Sequence, residues 1–370
     1  MRVAIFIPSF GDGGAERMLV NLASALSARG VSVDFLTRSR EAPYVDSLAP
    51  AVRLIETSRG GAFAEQLQLR RYLRGERPDV VLCGKDRAGL SMQLARRLSG
   101  VPLRIVMRPG TSYSARFAEL RPFSRWRARA RVRRVYQGAD AVVGNSAEVV
   151  ADVATAAGLP ASRMHLIRNP VVTPQLLSQA EAPLDYPWFA PGQPPVILGV
   201  GRLGQVKGFD VLLDAFARVR AERPARLMIL GEGRLRGELE AQASRLGVAE
   251  DIALPGFDAN PYRYLARAAL FVLSSRREGS PNALTEALAL GVPVVATDCP
   301  AGPREVLRGG EVAPLVPVDD AEAMAAAMLA TLDAPGDADR RREAVQEYSA
   351  ATCAERYHAL FDTLLAEASP

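Results

Sequence analysis

Two series of short apolar runs, each alternating with stretches of helical periodicity, constrain the fold of this chain most. The first series consists of RVAIFIP, VSVDFLT, DVVLC, LRIVM and DAVVG, which begin at residues 2, 31, 79, 103 and 140. The second consists of VILGV, RLMIL, DIALP, LFVLS and VPVVA, which begin at residues 196, 226, 251, 270 and 292. This alternation predicts parallel strands joined by helical crossovers. We therefore expect an α/β fold of two doubly wound, Rossmann-like domains that face a central cleft, with ligands at the carboxyl ends of the strands.

A proline-rich segment separates the two series. Residues 173–195 read TPQLLSQAEAPLDYPWFAPGQPP and lack periodicity, which is typical of a linker. We predict a first domain over 1–172, a linker over 173–195 and a second domain over 196–345. Residues 346–370 are predicted to form a C-terminal helix that either completes the second domain or crosses back to the first.

Composition excludes several classes of protein. No apolar run reaches the roughly 18 residues of a membrane-spanning helix, and the N-terminus is predicted to form a strand and not a signal peptide. Cys83, Cys299 and Cys353 are too widely spaced for a disulfide framework or a zinc pattern, and His165 and His358 do not make a metal site alone. We therefore predict a cytoplasmic protein without a resident metal or other cofactor, and a divalent ion held by the phosphates of a substrate stays open as an alternative. The formal net charge of +5 favours anionic partners.

Two glutamates stand eight positions apart in RREGSPNALTEALALGVPVVATD, which covers 276–298. Ser280 suits a helix N-cap and Pro281 the first helical position. Glu278 would then precede the helix, and Glu286 would lie about 7.5 Å along the helix axis from Pro281. This spacing indicates carboxylates that are too far apart to share a proton.

The helix start between these glutamates is a candidate anion site. The N–H groups of Asn282, Ala283 and Leu284 would be free there and would attract phosphate. A nucleoside-diphosphate sugar fits this arrangement, because it has sugar hydroxyls at one end, charge in the middle and a ribose diol at the other end. The simpler alternative is a capped surface helix with two solvated glutamates.

Two glycine-containing loops follow strands. In GRLGQVKGFDVLLDAF, which covers 201–216, Arg202 and Lys207 are suited to bind a diphosphate and to neutralise it as a leaving group, or they are ordinary surface charges. In FGDGGAER, which covers 10–17, Gly13 and Gly14 allow a ligand to approach the backbone, or they form a tight turn. The G-x-G-x-x-G dinucleotide fingerprint is missing there.

Together these motifs resemble the retaining GT-B-fold glycosyltransferases called family 4, or glycosyl transferases group 1, of bacterial polysaccharide, lipopolysaccharide and glycolipid assembly. The resemblance covers nearly the whole chain. The motifs that carry it are GGAERMLVNLASALSARG (13–30), ADAVVGNS (139–146), IRNPV (167–171), GRLGQVKGFDVLLDAF (201–216), LGEG (230–233), E-x7-E (278–286) and GVPVVATDCPAGPREVL (291–307).

The resemblance implies roles for matched residues. The first domain would be on the acceptor side, and the second would bind the nucleotide sugar. Arg202 and Lys207 would bind the diphosphate, Glu278 the donor sugar, and Glu286 the ribose. Gly13 and Gly14 would let the first domain close over the diphosphate. The loop that would hold phosphate and sugar through its backbone comprises Gly279, Ser280, Pro281, Asn282, Ala283 and Leu284.

The sequence departs from many relatives at one position in the first domain. Where they carry a histidine, this chain has Arg108, Pro109 and Gly110. A retaining enzyme tolerates this, because the departing phosphate can help to take the proton of the acceptor. Asp86 is a candidate acceptor contact or base, or else a plain loop aspartate.

An arginine-rich stretch, RPFSRWRARARVRRVY, covers 121–136 and contains no acidic residue. On a helix it would bury Ala128, Val132, Val135 and Ala139. The opposite face would suit an anionic membrane surface or a phosphorylated lipid acceptor, or it would simply be a solvated basic face. We expect no nucleic acid there, because no RNA-binding motif accompanies the patch. The predicted membrane or acceptor residues are Arg125, Trp126, Arg127, Arg129, Arg131, Arg133 and Arg134.

The resemblance therefore implies a retaining, metal-independent hexosyltransferase that is peripheral on the cytoplasmic face of the inner membrane. Its donor would be a UDP-sugar, with GDP and ADP as the other bases, and its acceptor a lipid-linked sugar, lipopolysaccharide or exopolysaccharide. Two alternatives stay open: a nucleotide-sugar epimerase or sugar phosphorylase on the same fold, and a non-catalytic, nucleotide-binding, membrane-associated protein.

Overall fold

The computed structural model divides the chain into two compact units. The first comprises Met1–Pro170 with Ser349–Pro370, and the second comprises Val171–Tyr348. The residues that the structure describes are 1–8, 14–38, 44–57, 60–110, 112–114, 117, 120–300 and 302–367. The predicted donor residue Gly13 lies outside them.

The described part of the first unit contains a parallel sheet of seven strands. These are β1 Arg2–Ile7, β2 Ser32–Thr37, β3 Arg53–Glu56, β4 Val80–Cys83, β5 Arg104–Met107, β6 Ala141–Gly144 and β7 Met164–Leu166. Their spatial order is β3-β2-β1-β4-β5-β6-β7. Strands β1, β4 and β6 are almost wholly buried, as expected where helices cover both faces of a parallel sheet. The five runs predicted for this sheet are all strands, and the short edge strands β3 and β7 add to them.

Helices pack on both faces of the first sheet. They are α1 Gly14–Ala28, α2 Gly61–Glu76, α3 Asp86–Ser99, α4 Pro122–Gln137, α5 Ala147–Ala157 and the C-terminal α14 Ala350–Ala366. Helices α1 and α14 share one core, in which Leu22 and Tyr357 are buried. Helices α2, α3 and α4 bury their inner faces in the core on the opposite side, for example through Leu69, Met92 and Val135. The C-terminal helix therefore belongs to the first unit.

The second unit is built on a parallel sheet of six described strands. These are β8 Val196–Val200, β9 Arg226–Leu230, β10 Ile252–Gly256, β11 Leu270–Leu273, β12 Val294–Thr297 and β13 Leu315–Val316. Their order is β10-β9-β8-β11-β12-β13, and the five predicted runs all form strands of this sheet. Its helices are α6 Pro174–Ala180, α7 Phe209–Glu222, α8 Arg236–Arg245, α9 Tyr262–Leu265, α10 Asn282–Ala289, α11 Pro303–Val306, α12 Ala321–Asp333 and α13 Ala338–Ala344.

The proline-rich segment 173–195 is more ordered than a plain linker. Helix α6 begins after Thr173, whose hydroxyl accepts a hydrogen bond from the N–H of Leu176 at 3.0 Å. Leu176 is fully buried in the core of the second unit, and Trp188 packs against that core. The segment therefore contributes a short helix and apolar side chains to the second unit. Among the helices of the described residues, none is long and apolar enough to cross a membrane.

Candidate functional site

A salt bridge joins two of the predicted donor residues in the second unit. The ammonium of Lys207 lies 2.7 Å from Oε1 of Glu278, whose side chain is 10% exposed. The hydroxyl of Ser275 donates to the same oxygen at 2.7 Å. Burial, with a further effect from the nearby Glu278 carboxylate, raises the pKa of the Cys299 thiol to about 12, so this neighbour is a neutral thiol and not a nucleophile. The structure thus brings together a lysine after β8 and a glutamate after β11.

Close backbone packing holds the loop that carries Lys207. Gly208 has a φ of +61°, and a Cβ atom there would lie 2.1 Å from the carbonyl oxygen of Ser274. The hydroxyl of Ser274 donates to the carbonyl oxygen of Lys207 at 2.8 Å. Only glycine accommodates both the left-handed conformation and this approach. Arg202 is exposed at the start of the same loop, directly after β8.

The sequence did not indicate a role for Arg276, which follows β11 and forms hydrogen bonds with the loop that carries Lys207. Its guanidinium donates to the carbonyl oxygen of Gln205 at 2.7 Å and lies 2.6 Å from the carboxylates of Asp210 and Asp319. The backbone N–H of Arg276 donates to the carbonyl oxygen of Val206 at 2.8 Å. Although burial opposes it, the Arg276 guanidinium lowers the pKa of Asp210 below its ordinary value. Arg276 is therefore a positioning residue for the Lys207 loop.

The start of α10 differs from the prediction. The helix begins at Asn282 with Pro281 at the N-cap, so Ser280 is not the cap and Pro281 is not the first helical residue. The N–H of Asn282 donates to the carbonyl oxygen of Ser280 at 2.9 Å and is therefore not free. The buried hydroxyl oxygen of Ser280 has no hydrogen-bond partner among the described residues. The physical reason is an inverse γ-turn centred on Pro281, whose φ of −79° and ψ of 80° close the bond from the N–H of Asn282 to the carbonyl oxygen of Ser280 before the helix begins.

Helix α10 is a buried helix, which excludes the alternative of a surface helix with solvated glutamates. Six successive residues, from Leu284 to Ala289, are buried. Glu286 is only 5% exposed, and the hydroxyl of Tyr262 donates to its Oε1 at 3.3 Å. Burying a carboxylate without hydrogen bonds is unfavourable, so Glu286 is not an ordinary surface glutamate. Tyr262 is the first residue of the short helix α9, and no motif in the sequence indicated that it contacts Glu286.

The arginine-rich helix α4 buries the stripe that its periodicity predicted. Val132, Val135 and Ala139 are buried, and Ala128 is half-buried. On the outer side Trp126 is 67% exposed and stacks on Phe123, with 6.3 Å between the ring centroids. The predicted interface arginines Arg127, Arg129, Arg131, Arg133 and Arg134 are all exposed.

Arg125 does not belong with the other interface arginines. Its guanidinium turns back and donates to the carbonyl oxygens of Phe117 at 2.8 Å and Leu120 at 3.0 Å. Those carbonyls precede α4, which begins at Pro122, so Arg125 satisfies backbone acceptors near the helix start. It is a structural residue in this chain.

Asp86 begins α3 and is bound by two tyrosines. Its Oδ1 accepts hydrogen bonds from the hydroxyls of Tyr113 at 2.6 Å and Tyr136 at 2.9 Å. Asp86 and Tyr113 line a cavity of about 390 Å³ in the first unit. This surrounding distinguishes Asp86 from a plain loop aspartate.

The remaining predicted residues are more simply placed. Gly14 is the first residue of α1. His165 lies on the edge strand β7, and burial lowers its pKa, so it is a neutral, half-buried ring. His358 lies 3.8 Å from Asp362 on α14. Neither histidine lines the cavity in the first unit.

Two family models match the chain in succession. Residues 12–174 match the model described as "Glycosyltransferase Family 4", and residues 194–334 match the model described as "Glycosyl transferases group 1". The two matches correspond closely to the two compact units, apart from the C-terminal helix.

Similar proteins and structures agree with these matches. The chain is 28% identical to an N-acetylgalactosaminyltransferase of Campylobacter jejuni that acts on a diphospho-undecaprenol-linked sugar, over 87% of this chain and 88% of that protein. It is 28% identical to the lipopolysaccharide core biosynthesis glycosyltransferase LpsE of Rhizobium meliloti, over 86% and 85%. The crystal structure of Anabaena HepE with UDP and glucose superposes with a TM-score of 0.78 at 18% identity, over 98% of this chain and 100% of that one. The GT-B fold that the motifs predicted is thereby confirmed.

Proposed function

Because the chain belongs to the group 1, family 4 glycosyltransferases, we propose that it transfers a hexose from a UDP-sugar to a lipid-linked or polysaccharide acceptor with retention of configuration. The observation that carries the donor site is the Lys207–Glu278 salt bridge beside the buried helix α10, which holds Glu286. A buried carboxylate at each side of one helix start suits a ligand with hydroxyls at both ends and charge in the middle.

Each group near α10 has a role in this proposal. Lys207 and Arg202 bind the diphosphate, and Glu278 accepts a hydrogen bond from the donor sugar. Glu286, oriented by the hydroxyl of Tyr262, accepts from the ribose hydroxyls. The hydroxyl of Ser280, which has no hydrogen-bond partner among the described residues, would donate to the phosphate or the sugar. UDP is favoured as the nucleotide because the superposable HepE structure contains UDP.

The proposed reaction takes place on one face of the sugar. The acceptor hydroxyl oxygen forms a bond to C1 while the bond between C1 and the diphosphate oxygen breaks. The departing diphosphate takes the acceptor proton, and Lys207 and Arg202 stabilise its growing negative charge. In this scheme the positive charge comes from the protein, so no resident metal is required. The anomeric configuration of the product, measured by NMR, tests retention directly.

We also propose that the enzyme docks on an anionic membrane through one helical layer of the first unit. Helices α2, α3, α4 and α5 share a core on the same side of the sheet. The first three carry twelve arginines and three acidic residues, a formal charge of +9, and α5 adds two acidic residues, whereas the whole chain has +5. Six of the eleven large apolar side chains that are exposed in the described residues lie on them: Phe63, Leu67, Leu94, Leu98, Phe123 and Trp126. Exposed apolar residues among arginines suit a bilayer with anionic headgroups.

Thermal unfolding of the full chain with UDP, GDP and ADP tests the donor site. A nucleotide present at a hundredfold excess over its Kd should stabilise the native state by about 2.7 kcal/mol. Glu286→Gln should remove most of that effect, because the amide accepts hydrogen bonds from the ribose less strongly than a carboxylate does. Glu343→Gln, an exposed change on α13, is the control and should retain it. If no nucleotide stabilises the wild-type chain, the donor proposal is wrong.

A further inference from the structure

The two serines that follow β11 are buried, and their hydroxyls have different partners. The hydroxyl of Ser274 donates to the carbonyl oxygen of Lys207 at 2.8 Å. Ser275 is 1% exposed, and its hydroxyl donates to Oε1 of Glu278 at 2.7 Å. Ser274 therefore contacts the backbone of the loop that carries Lys207, whereas Ser275 contacts a side chain of the proposed donor site. Of the two, Ser275 is the one that can orient the Glu278 carboxylate.

The Glu278 carboxylate accepts two hydrogen bonds on one of its oxygens. The ammonium of Lys207 and the hydroxyl of Ser275 each lie 2.7 Å from Oε1. Among the described residues, none donates a hydrogen bond to Oε2. An ionised carboxylate can accept hydrogen bonds on both oxygens, and two donors at one of them restrict how the group can rotate. Oε2 is therefore the oxygen that remains for a hydroxyl of the donor sugar.

Lys207 alone would not hold this carboxylate throughout the proposed reaction. Its ammonium also binds the diphosphate there, and that attraction grows as the diphosphate leaves. A lysine ammonium is a point charge on a flexible stem, so a second anion changes its geometry with Glu278. A buried carboxylate that loses its hydrogen bonds is unfavourable. Because the hydroxyl of Ser275 does not have to serve the diphosphate, it keeps one bond on Oε1 while Lys207 is shared.

The backbone that carries Ser275 is itself held by the neighbouring strand. The hydroxyl of Thr297, which is fully buried at the end of β12, donates to the carbonyl oxygen of Ser275 at 2.5 Å. The backbone N–H of Glu278 donates to the carbonyl oxygen of Pro300 at 3.3 Å. The loop from Ser275 to Glu278 is therefore bonded to β12 at one end and to the residues after β12 at the other. A short side chain on such a fixed backbone places its hydroxyl reproducibly.

We propose that Ser275 is a positioning residue for the donor sugar: it holds Oε1 of Glu278, so that Oε2 accepts a hydrogen bond from a hydroxyl of the sugar while Lys207 binds the diphosphate. The inference rests on the proposed function and deepens it, because it concerns the sugar end of the donor. Loss of the Ser275 hydroxyl should therefore affect ligands that carry the transferred sugar and spare UDP, which lacks it. A purely structural role would affect both kinds of ligand alike.

Calorimetric titration of the full chain tests the proposal. The probes are UDP and the UDP-sugars of glucose, galactose, N-acetylglucosamine and N-acetylgalactosamine. Ser275→Ala should weaken each UDP-sugar that the wild type binds about tenfold, as expected for one hydrogen bond to a charged group, and leave the Kd of UDP unchanged. Ser274→Ala removes the same atom from the adjacent residue and should weaken UDP and the UDP-sugars by equal factors, because it acts on the Lys207 loop. Ser244→Ala, an exposed change on α8, should alter neither.

Crystal structures of the wild type and of Ser275→Ala report on the carboxylate directly. In the variant, Oε1 of Glu278 should leave its wild-type position or occupy more than one conformer. If the carboxylate stays in place, the assignment of Ser275 is overturned.

The binding outcomes separate this inference from the donor proposal. If Ser275→Ala binds the UDP-sugars as the wild type does, or loses UDP and the UDP-sugars equally, the role of Ser275 is wrong and the donor site stands. If the wild type binds UDP but none of the UDP-sugars, the sugar contact is likewise wrong. A wild-type chain that binds neither UDP nor any UDP-sugar would overturn the donor proposal itself, and the role of Ser275 with it.

Discussion

Lys207 is the residue whose environment makes the clearest prediction about catalysis. Its ammonium forms a salt bridge with Glu278, and in the proposed reaction it interacts with the largest negative charge as the diphosphate leaves. We expect Lys207→Ala to lower kcat by about 10²- to 10³-fold and to weaken UDP binding much less. Initial rates with EDTA present and calorimetric titration with UDP measure the two effects separately.

Arg218→Ala is the matched control for Lys207→Ala, because it removes an exposed cation from α7 in the same unit. It should leave both quantities unchanged. If Lys207→Ala had the kcat of the wild type, Lys207 would have no role in the chemical step. If EDTA abolished the activity of the wild-type enzyme, the metal-independent part of the proposal would be contradicted.

At the residue scale, the contiguous motifs indicated residues that the structure brings together, such as Lys207 and Glu278. The sequence did not predict Tyr262, Arg276 or the tyrosine pair on Asp86. Each of these acts on a residue distant in sequence: Tyr113 and Tyr136 are 27 and 50 positions from Asp86. Spacing along a motif carries no information about such contacts, because they depend on which strand ends become neighbours in the sheet.

At the scale of elements, the connection from β8 to α7 depends on Gly208. We expect Gly208→Ala to cost about 1–3 kcal/mol, because the residue has a φ of +61° and its new Cβ would meet the Ser274 carbonyl at 2.1 Å. The displaced loop should also bind UDP more weakly, since Lys207 directly precedes this glycine. Urea unfolding and UDP titration measure both consequences.

Gly237→Ala in α8 provides the contrast within the same unit. That glycine is helical, and a Cβ atom there meets nothing within 4 Å. Alanine should therefore stabilise the chain by about 0.5–1 kcal/mol through its helix preference. Equal urea midpoints for the two variants would show that the Gly208 contact does not constrain the loop.

Elements were predictable where their apolar pattern was continuous. The ten predicted runs are all strands, because a parallel sheet covered on both faces requires apolar residues at successive positions. Edge strand β3 reads RLIE and is partly exposed, so it lacked that signal. Helix α6 has seven residues within a proline-rich segment, too few for a periodic pattern. The start of α10 was misplaced because the sequence SPN allows a cap at either Ser280 or Pro281.

At the scale of the whole molecule, the sequence predicted the C-terminal helix but not the unit against which it packs. The apolar face of α14, with Cys353, Tyr357 and Phe361, indicated that one side is buried. Periodicity does not specify the partner, and both predicted domains offered an α/β core. The structure places this face against α1 in the first unit. The choice depends on tertiary packing, which a single sequence does not encode locally.

Membrane docking also belongs to the whole molecule, because it depends on where charge and apolar surface accumulate. The full chain should co-sediment with vesicles that contain anionic phosphatidylglycerol and should not co-sediment with neutral phosphatidylcholine vesicles. Phe123→Ser with Trp126→Ser should weaken this binding, since both rings are exposed beside the arginines of α4. Changing Arg127, Arg133 and Arg134 together to Ser should do the same.

Two matched controls show whether position or bulk composition causes the binding. The first control, Leu177→Ser with Phe257→Ser, removes two exposed apolar side chains from the second unit. The second control changes three exposed arginines of that unit to Ser and so removes the same charge: Arg218, Arg245 and Arg340. If docking uses the α2–α4 layer, these controls should sediment as the wild type does. Since each neutralised cation near an anionic surface is worth about 1 kcal/mol, the α4 triple variant should lose roughly a hundredfold in affinity. Equal losses in both triple variants would mean that overall charge, and not this layer, attracts the protein to lipid.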